Sequence, residues 1–329
     1  MPTSRLSASA AVLGLGLFGL GLLSASAAEK PGMPCLTQEE GTCLPTSTAN
    51  LMVWFGLHGY PKLIVKGDSA ANGYIHTVHA MITAVHATYQ FGTDTMAITY
   101  GIQKYIRDAG YSADVEYRGI DWSQIKSKDI IKDADLDAYK KAYRTPAAFS
   151  QDWLQQNNDS NKGFILLVIY AKYNPETGVF SNPVAGHAVT LVNAEPDTLV
   201  IHDPANDASY PGRKILTPRQ LVGGSFEAPG FHASTEGLMI LDAPIDEMWH
   251  PVNGVILLTG AVCVTMHPDS NETSIVKGTV GSPNGVIGAN PGDTAKNGTG
   301  STGSNHGTTP APTAQRDWAT WLFDYFFKK

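Results

Sequence analysis

The chain has 329 residues, 43% hydrophobic and 16% charged, with a net charge of −7. That composition supports a packed core and leaves room for one or two domains. No basic patch is present to neutralise phosphates, so the chain does not read as a nucleic-acid binder.

Residues 1–28 have the pattern of a secretory signal. Arg5 supplies a basic start, Ala11 to Leu23 an apolar run, and Ser24-Ala25-Ser26-Ala27-Ala28 a small-residue cleavage site. The apolar run is shorter than the roughly 20 residues a membrane span needs. Export is therefore expected, to the outside of the cell or to the periplasm or cell envelope, and cleavage removes Arg5 and leaves the mature chain one unit more acidic.

A domain over residues 29–267 follows. Pro45 to about His58 is helical in pattern: Ala49, Met52, Val53 and Gly56 share a face, and Pro45 suits a first turn. Further helices are predicted over Ile75–Tyr89, over Met96–Asp108 with Gly110 as its stop, and over Ala147–Gln156. Ala113–Tyr117 alternates as a strand does, and Phe164–Tyr170 is an apolar run suited to a buried central strand. Ala188–Val192 and Leu199–His202 read as two strands joined by the turn-rich Asn193–Thr198, with more strands over Gly237–Leu241 and Val255–Val264. Helices first and an antiparallel sheet afterwards predict an α+β fold. No internal repeat is present.

Residues 268–315 are mostly Gly, Ser, Thr, Asn and Pro, a composition that cannot offset its ordering entropy and predicts a flexible linker. Residues 316–329 form an aromatic amphipathic segment in which Trp318, Trp321, Leu322 and Tyr325 would line one helix face. The segment is too short to span a bilayer. It suits a membrane surface or a partner, and equally a return onto the domain.

Three cysteines, Cys35, Cys43 and Cys263, are an odd number for an exported chain. If Cys43 stays free, Cys35 and Cys263 are the pair left to form a disulfide. The other reading keeps all three reduced.

Cys43 stands where a loop becomes a helix, in the positive field that favours a thiolate. His187, after Gly186 at the start of a strand, is a base able to take the thiol proton. If Val192 lies opposite Thr198 in the hairpin, His187 lies opposite Asp203, which could then orient the imidazole. A register slip of one residue would put the two side chains on opposite faces. The backbone N–H of Cys43 and the carboxamide of Gln38 are candidate donors to an oxyanion. His76, His79 and His86 share one predicted helix without a carboxylate or thiol to complete a metal site, and His202 is expected to face away from Asp203.

Gln38, then Cys43-x-Pro45-Thr46-Ser47, Ala49-Asn50 and Phe55-Gly56 together resemble the first motif of bacteriocin-processing-peptidase-like (peptidase family 39-like) domains of the papain-like superfamily. Gly186-His187-Ala188-Val189 resembles their histidine motif and Ile201-His202-Asp203-Pro204 their aspartate motif, and Gly92–Gly110 is similar to their connecting region. The resemblance spans Pro34 to Pro204. It implies a papain-like fold, N-terminal helices packed on an antiparallel sheet. In it Cys43 would be nucleophile, His187 general base and acid, Asp203 orienter and Gln38 oxyanion donor. The chain departs from the pattern at Leu44, where that family carries glycine, and a side chain there would bear on the approach to the sulfur.

The expected activity is an exported hydrolase cleaving peptide or related amide bonds through a thioester, with a peptide or protein substrate and no cofactor or metal. Acyl transfer to an amine by the same triad is a variant of it. The other reading is a catalytically silent papain-like domain that binds peptide or envelope material. With no transporter or ATPase region in the chain, a free-standing enzyme is expected rather than a leader-peptide processor attached to an exporter.

Overall fold

The computed structural model describes residues 29–87, 93, 95–122, 149–206, 212–228, 230–242 and 254–268. The signal segment 1–28, residues 269–315 of the linker and the aromatic segment 316–329 lie outside them. The fold is α+β. Helices α1 (Cys43–Leu57), α2 (Ala70–Ala84) and α3 (Thr95–Asp108) come first, then β1 (Ala113–Gly119) and a short α4 (Gln151–Gln156). Strands β2 (Lys162–Asn174), β3 (Val179–Glu195) and β4 (Thr198–His202) follow. The remaining strands are β5 (Arg213–Leu216), β6 (Pro218–Gln220), β7 (Ser225–Ala228), β8 (Phe231–Ser234), β9 (Met239–Leu241) and β10 (Gly254–Met266).

The ten strands share one sheet, ordered β5-β4-β3-β2-β10-β9-β6, with β1 also on β10 and the β7–β8 hairpin on the start of β3. Every pairing is antiparallel except that of β3 with β7. Alternate residues of the central strands serve two cores, as the period of a strand requires. Ile165 and Ala188 pack with α1, α2 and α3, while Phe164, Leu166 and Val189 pack with α4 and the β7–β8 hairpin.

Helix α1 is buried from Leu44 through Gly56, so it has no polar face of the kind a surface helix shows. Its small polar residues are instead bonded inward. Ser47 Oγ donates to the Ala188 carbonyl at 2.8 Å, Thr190 Oγ1 donates to the Ser47 carbonyl at 2.8 Å, and Asn50 Oδ1 accepts the Leu36 N–H at 2.9 Å. Such buried groups are tolerated because they are paired. The helix lies close on β2: a Cβ at Gly163 would stand 2.2 Å from Leu51 Cδ1.

Several boundaries differ from those read in the sequence. Helix α2 starts at Ala70 rather than Ile75 because Ser69 caps it, Oγ accepting the Asn72 N–H at 3.2 Å. It stops at Ala84, where His86 takes φ 53° and the Ala87 N–H closes on the Ile82 carbonyl at 2.9 Å. The β3–β4 connection is only Pro196-Asp197, since Glu195 already pairs with Thr198. The Cys35–Cys263 disulfide does not form. Both are free thiols, Cys35 beside the Asp203 carbonyl and Cys263 within β10 between β1 and β2. No helix among the described residues is long and apolar enough to cross a membrane.

Candidate active site

Cys43 is the first residue of α1, so its N–H belongs to the first turn, whose amides have no intrahelical acceptor. Cys43 is half-buried, and His187 and the backbone N–H groups of Ala188 and Leu44 lie near enough to its sulfur to favour the thiolate. The bonds from Ser47 and Thr190 between α1 and β3 set this approach, because they tie the second turn of α1 to the residues just after His187.

His187 lies on β3 opposite Val168 of β2 and is buried. Its Nε2 donates to Asp203 Oδ1 at 2.8 Å, which leaves Nδ1 as the nitrogen for the sulfur. Asp203 follows the last residue of β4 and is fully buried, at 0% exposure. Oδ1 also accepts the Ala205 N–H at 2.9 Å, and Oδ2 accepts Lys214 Nζ at 2.5 Å.

The charges of the group support one another. Burial resists ionisation of the Cys43 thiol, but the hydrogen bond and positive charge of His187, with the Ala188 and Leu44 amides, hold it below its ordinary value. Burial disfavours the imidazolium of His187, yet bonds to Asp203 and Cys43 and their negative charges raise it well above the usual imidazole range. Burial also penalises the Asp203 carboxylate, and the bonds and charges of His187 and Lys214 hold its carboxyl below the usual range. Both shifts favour the thiolate and imidazolium over the thiol and imidazole.

Gln38 stands on the segment entering α1, and its N–H donates to the Pro204 carbonyl at 2.9 Å, which ties that segment to the aspartate loop. Its side-chain Oε1 is buried without a hydrogen-bond partner among the described residues. A buried amide with unused bonding capacity is costly to the fold, and oxygen and nitrogen of a carboxamide exchange places by a simple flip. Leu44 is 4% exposed and belongs to the helix-side core.

The loop after Asp203 is held from both sides. Cys35 Sγ lies 3.7 Å from the Asp203 carbonyl, Asn206 Nδ2 donates to that carbonyl at 3.1 Å, and the Asp203 N–H donates to the Gly212 carbonyl at 2.7 Å. Only glycine fits at 212, because a Cβ there would meet Cys35 Sγ at 2.3 Å. Sequence reasoning missed Lys214: a Lys in a short Arg-Lys-Ile-Leu run carries no signal until β5 is placed beside β4.

The other histidines stand apart. His202 Nδ1 donates to the Pro34 carbonyl at 3.0 Å, facing away from Asp203 as expected. His76 Nδ1 donates to the Lys66 carbonyl at 3.3 Å. No three His, Cys, Asp or Glu side chains gather as a metal site among the described residues.

Compared with protein-family models, with curated proteins and with solved structures, the chain finds no match in any of the three.

Proposed function

We propose that the chain is an exported cysteine hydrolase of papain-like architecture, similar to the bacteriocin-processing-peptidase-like domains, that cleaves peptide or related amide bonds. The observation that carries the reading is His187, bonded to the buried Asp203 carboxylate on one side and near enough to the Cys43 sulfur on the other to favour its thiolate. A thiol at a helix start, an imidazole on the strand beneath it and a carboxylate fixing that imidazole supply nucleophile, proton carrier and orienter.

The Cys43 thiolate attacks the amide carbon, and the carbonyl electrons move to oxygen. The Cys43 N–H and the Gln38 carboxamide, turned to present its nitrogen, take the resulting oxyanion. Collapse of the adduct expels the amine with the proton held by His187 and leaves a thioester on Cys43. His187, now neutral, removes a proton from water, which attacks the thioester and returns the thiolate and the imidazolium.

Iodoacetamide labelling read by peptide mass spectrometry at pH 6 tests this. Cys43 reacts faster than a model thiol, and His187→Ala removes the advantage. A peptide-library digest then yields cleavage that Cys43→Ser abolishes. Cys43 labelling no faster than a free thiol ends the hydrolase reading. Fast labelling without any digestion ends it in favour of a binding domain.

A further inference from the structure

We propose that Lys214 is a fourth, positioning member of the site, fixing the Asp203 carboxylate from the side opposite His187 and supplying the charge that keeps the Cys43–His187 pair ionised. The inference rests on the reading of Cys43, His187 and Asp203 as the reacting group and its partners.

Three neighbouring strands build this arrangement. In β4, Ile201 pairs with Leu191 of β3 on one side and with Lys214 of β5 on the other. Asp203 lies two residues beyond Ile201, so its side chain returns to the same face. Lys214 is therefore a diagonal neighbour of Asp203 across one strand gap, and His187 approaches from the other. The lysine side chain is 11% exposed and the aspartate 0%, so neither ion has water as its main partner.

Charge counting shows what the lysine does. Thiolate, imidazolium and carboxylate alone leave a buried site with one net negative charge, and Lys214 brings the four to neutrality. Taking a positive charge out of a buried site raises the pKa of every group near it. Without the ammonium, the thiol ionises at higher pH and the imidazolium also holds its proton longer. At an effective dielectric near 20, a unit charge about 10 Å away moves such a group by about one pH unit.

Among the described residues, the other ionisable groups around the site do not duplicate this effect. Cys35 lies on the Asp203 carbonyl, and burial pushes its thiol up to about 11. Arg213, the neighbour of Lys214, pairs with Glu29 at 2.9 Å. His202 turns to Pro34 on the other face of β4.

The test is the pH profile of Cys43 alkylation, which needs no substrate and so stands apart from hydrolysis. In Lys214→Met the acid limb moves up by about one unit, which slows labelling about tenfold at a pH below the limb. Lys214→Gln keeps a donor for Oδ2 but not the charge; it shows the same shift and serves if the Met variant does not fold. Lys214→Arg keeps the limb at the wild-type position. A lysine that merely packs would lower thermal stability and leave the limb in place. If both neutral variants titrate like wild type, the role of Lys214 is refuted while the reading of Cys43 stands. A wild-type Cys43 that titrates like an ordinary thiol ends both.

Discussion

Replacing Asp203 with Asn keeps the shape of the side chain and removes its charge. Its three partners among the described residues are all donors: His187 Nε2, the Ala205 N–H and Lys214 Nζ. An Asn amide nitrogen must then face one of them, donor against donor, and the buried Lys214 loses the carboxylate that it donates to. Breaking a buried ion pair by removing one member costs about 3–5 kcal/mol. At about 2–4 °C per kcal/mol for a chain of this size, the midpoint of thermal unfolding falls by about 6–20 °C. Circular dichroism melts at pH 7 measure it. Adding Lys214→Met to Asp203→Asn removes the other half of the broken pair and recovers at least about 2 kcal/mol, a coupling that distant sites would not show. The pH dependence has a definite sign. The folded pKa of Asp203 is depressed, so its contribution is whole above the unfolded value of about 3.9 and is lost as pH falls through the folded value. The gap between wild type and Asp203→Asn therefore holds from pH 7 to about 4 and closes below. A single variant costing less than about 1 kcal/mol, or a double variant no better than the single, refutes the account.

Two more predictions concern the frame of the site. Gly163→Ala puts a Cβ 2.2 Å from the fully buried Leu51 Cδ1, so it costs about 1–3 kcal/mol and slows Cys43 labelling as α1 is lifted; an unchanged urea midpoint would show that α1 and β2 are not in close contact there. Lys30 is 2% exposed, donates to Asn158 Oδ1 at 2.6 Å, and is held down to about 8 by burial against the opposing charges of Asp159 and Cys263. The folded chain thus releases this proton at lower pH than the unfolded chain, and wild type gains stability relative to Lys30→Met as pH rises from about 8 to 10 in urea titrations; a flat difference rules this out.

The hairpin shows how much of the site was legible in the sequence. The residue types and their order along the chain pointed to Cys43, His187 and Asp203, but the assumed register was wrong. Thr198 pairs with Glu195, three residues along from Val192, which alone would put His187 and Asp203 on opposite faces. A bulge between Leu191 and Asn193 takes back one residue, so Thr190 pairs with His202. The remaining shift is two, an even number, and the faces agree again. His187 meets Asp203 diagonally instead of directly across. A bulge depends on how the strand bends over its neighbours, which periodicity does not encode. The strands β5 to β8 were missed for a related reason, being only three or four residues long. The buried state of α1 was hidden too, since the sequence places only Ala49, Met52, Val53 and Gly56 on one face, while Thr46, Ser47, Thr48 and Asn50 are buried as well, Ser47 bonded to β3.

That burial of α1 also decides how the site fails. A helix enclosed on every side exposes its amides only when the whole fold opens, so hydrogen exchange from Leu51 to Phe55 should report the global unfolding free energy. Cys43 is the first residue of that helix. On heating or in denaturant, Cys43 is expected to keep its partners until the cooperative transition, and fast labelling of Cys43 should persist up to that transition.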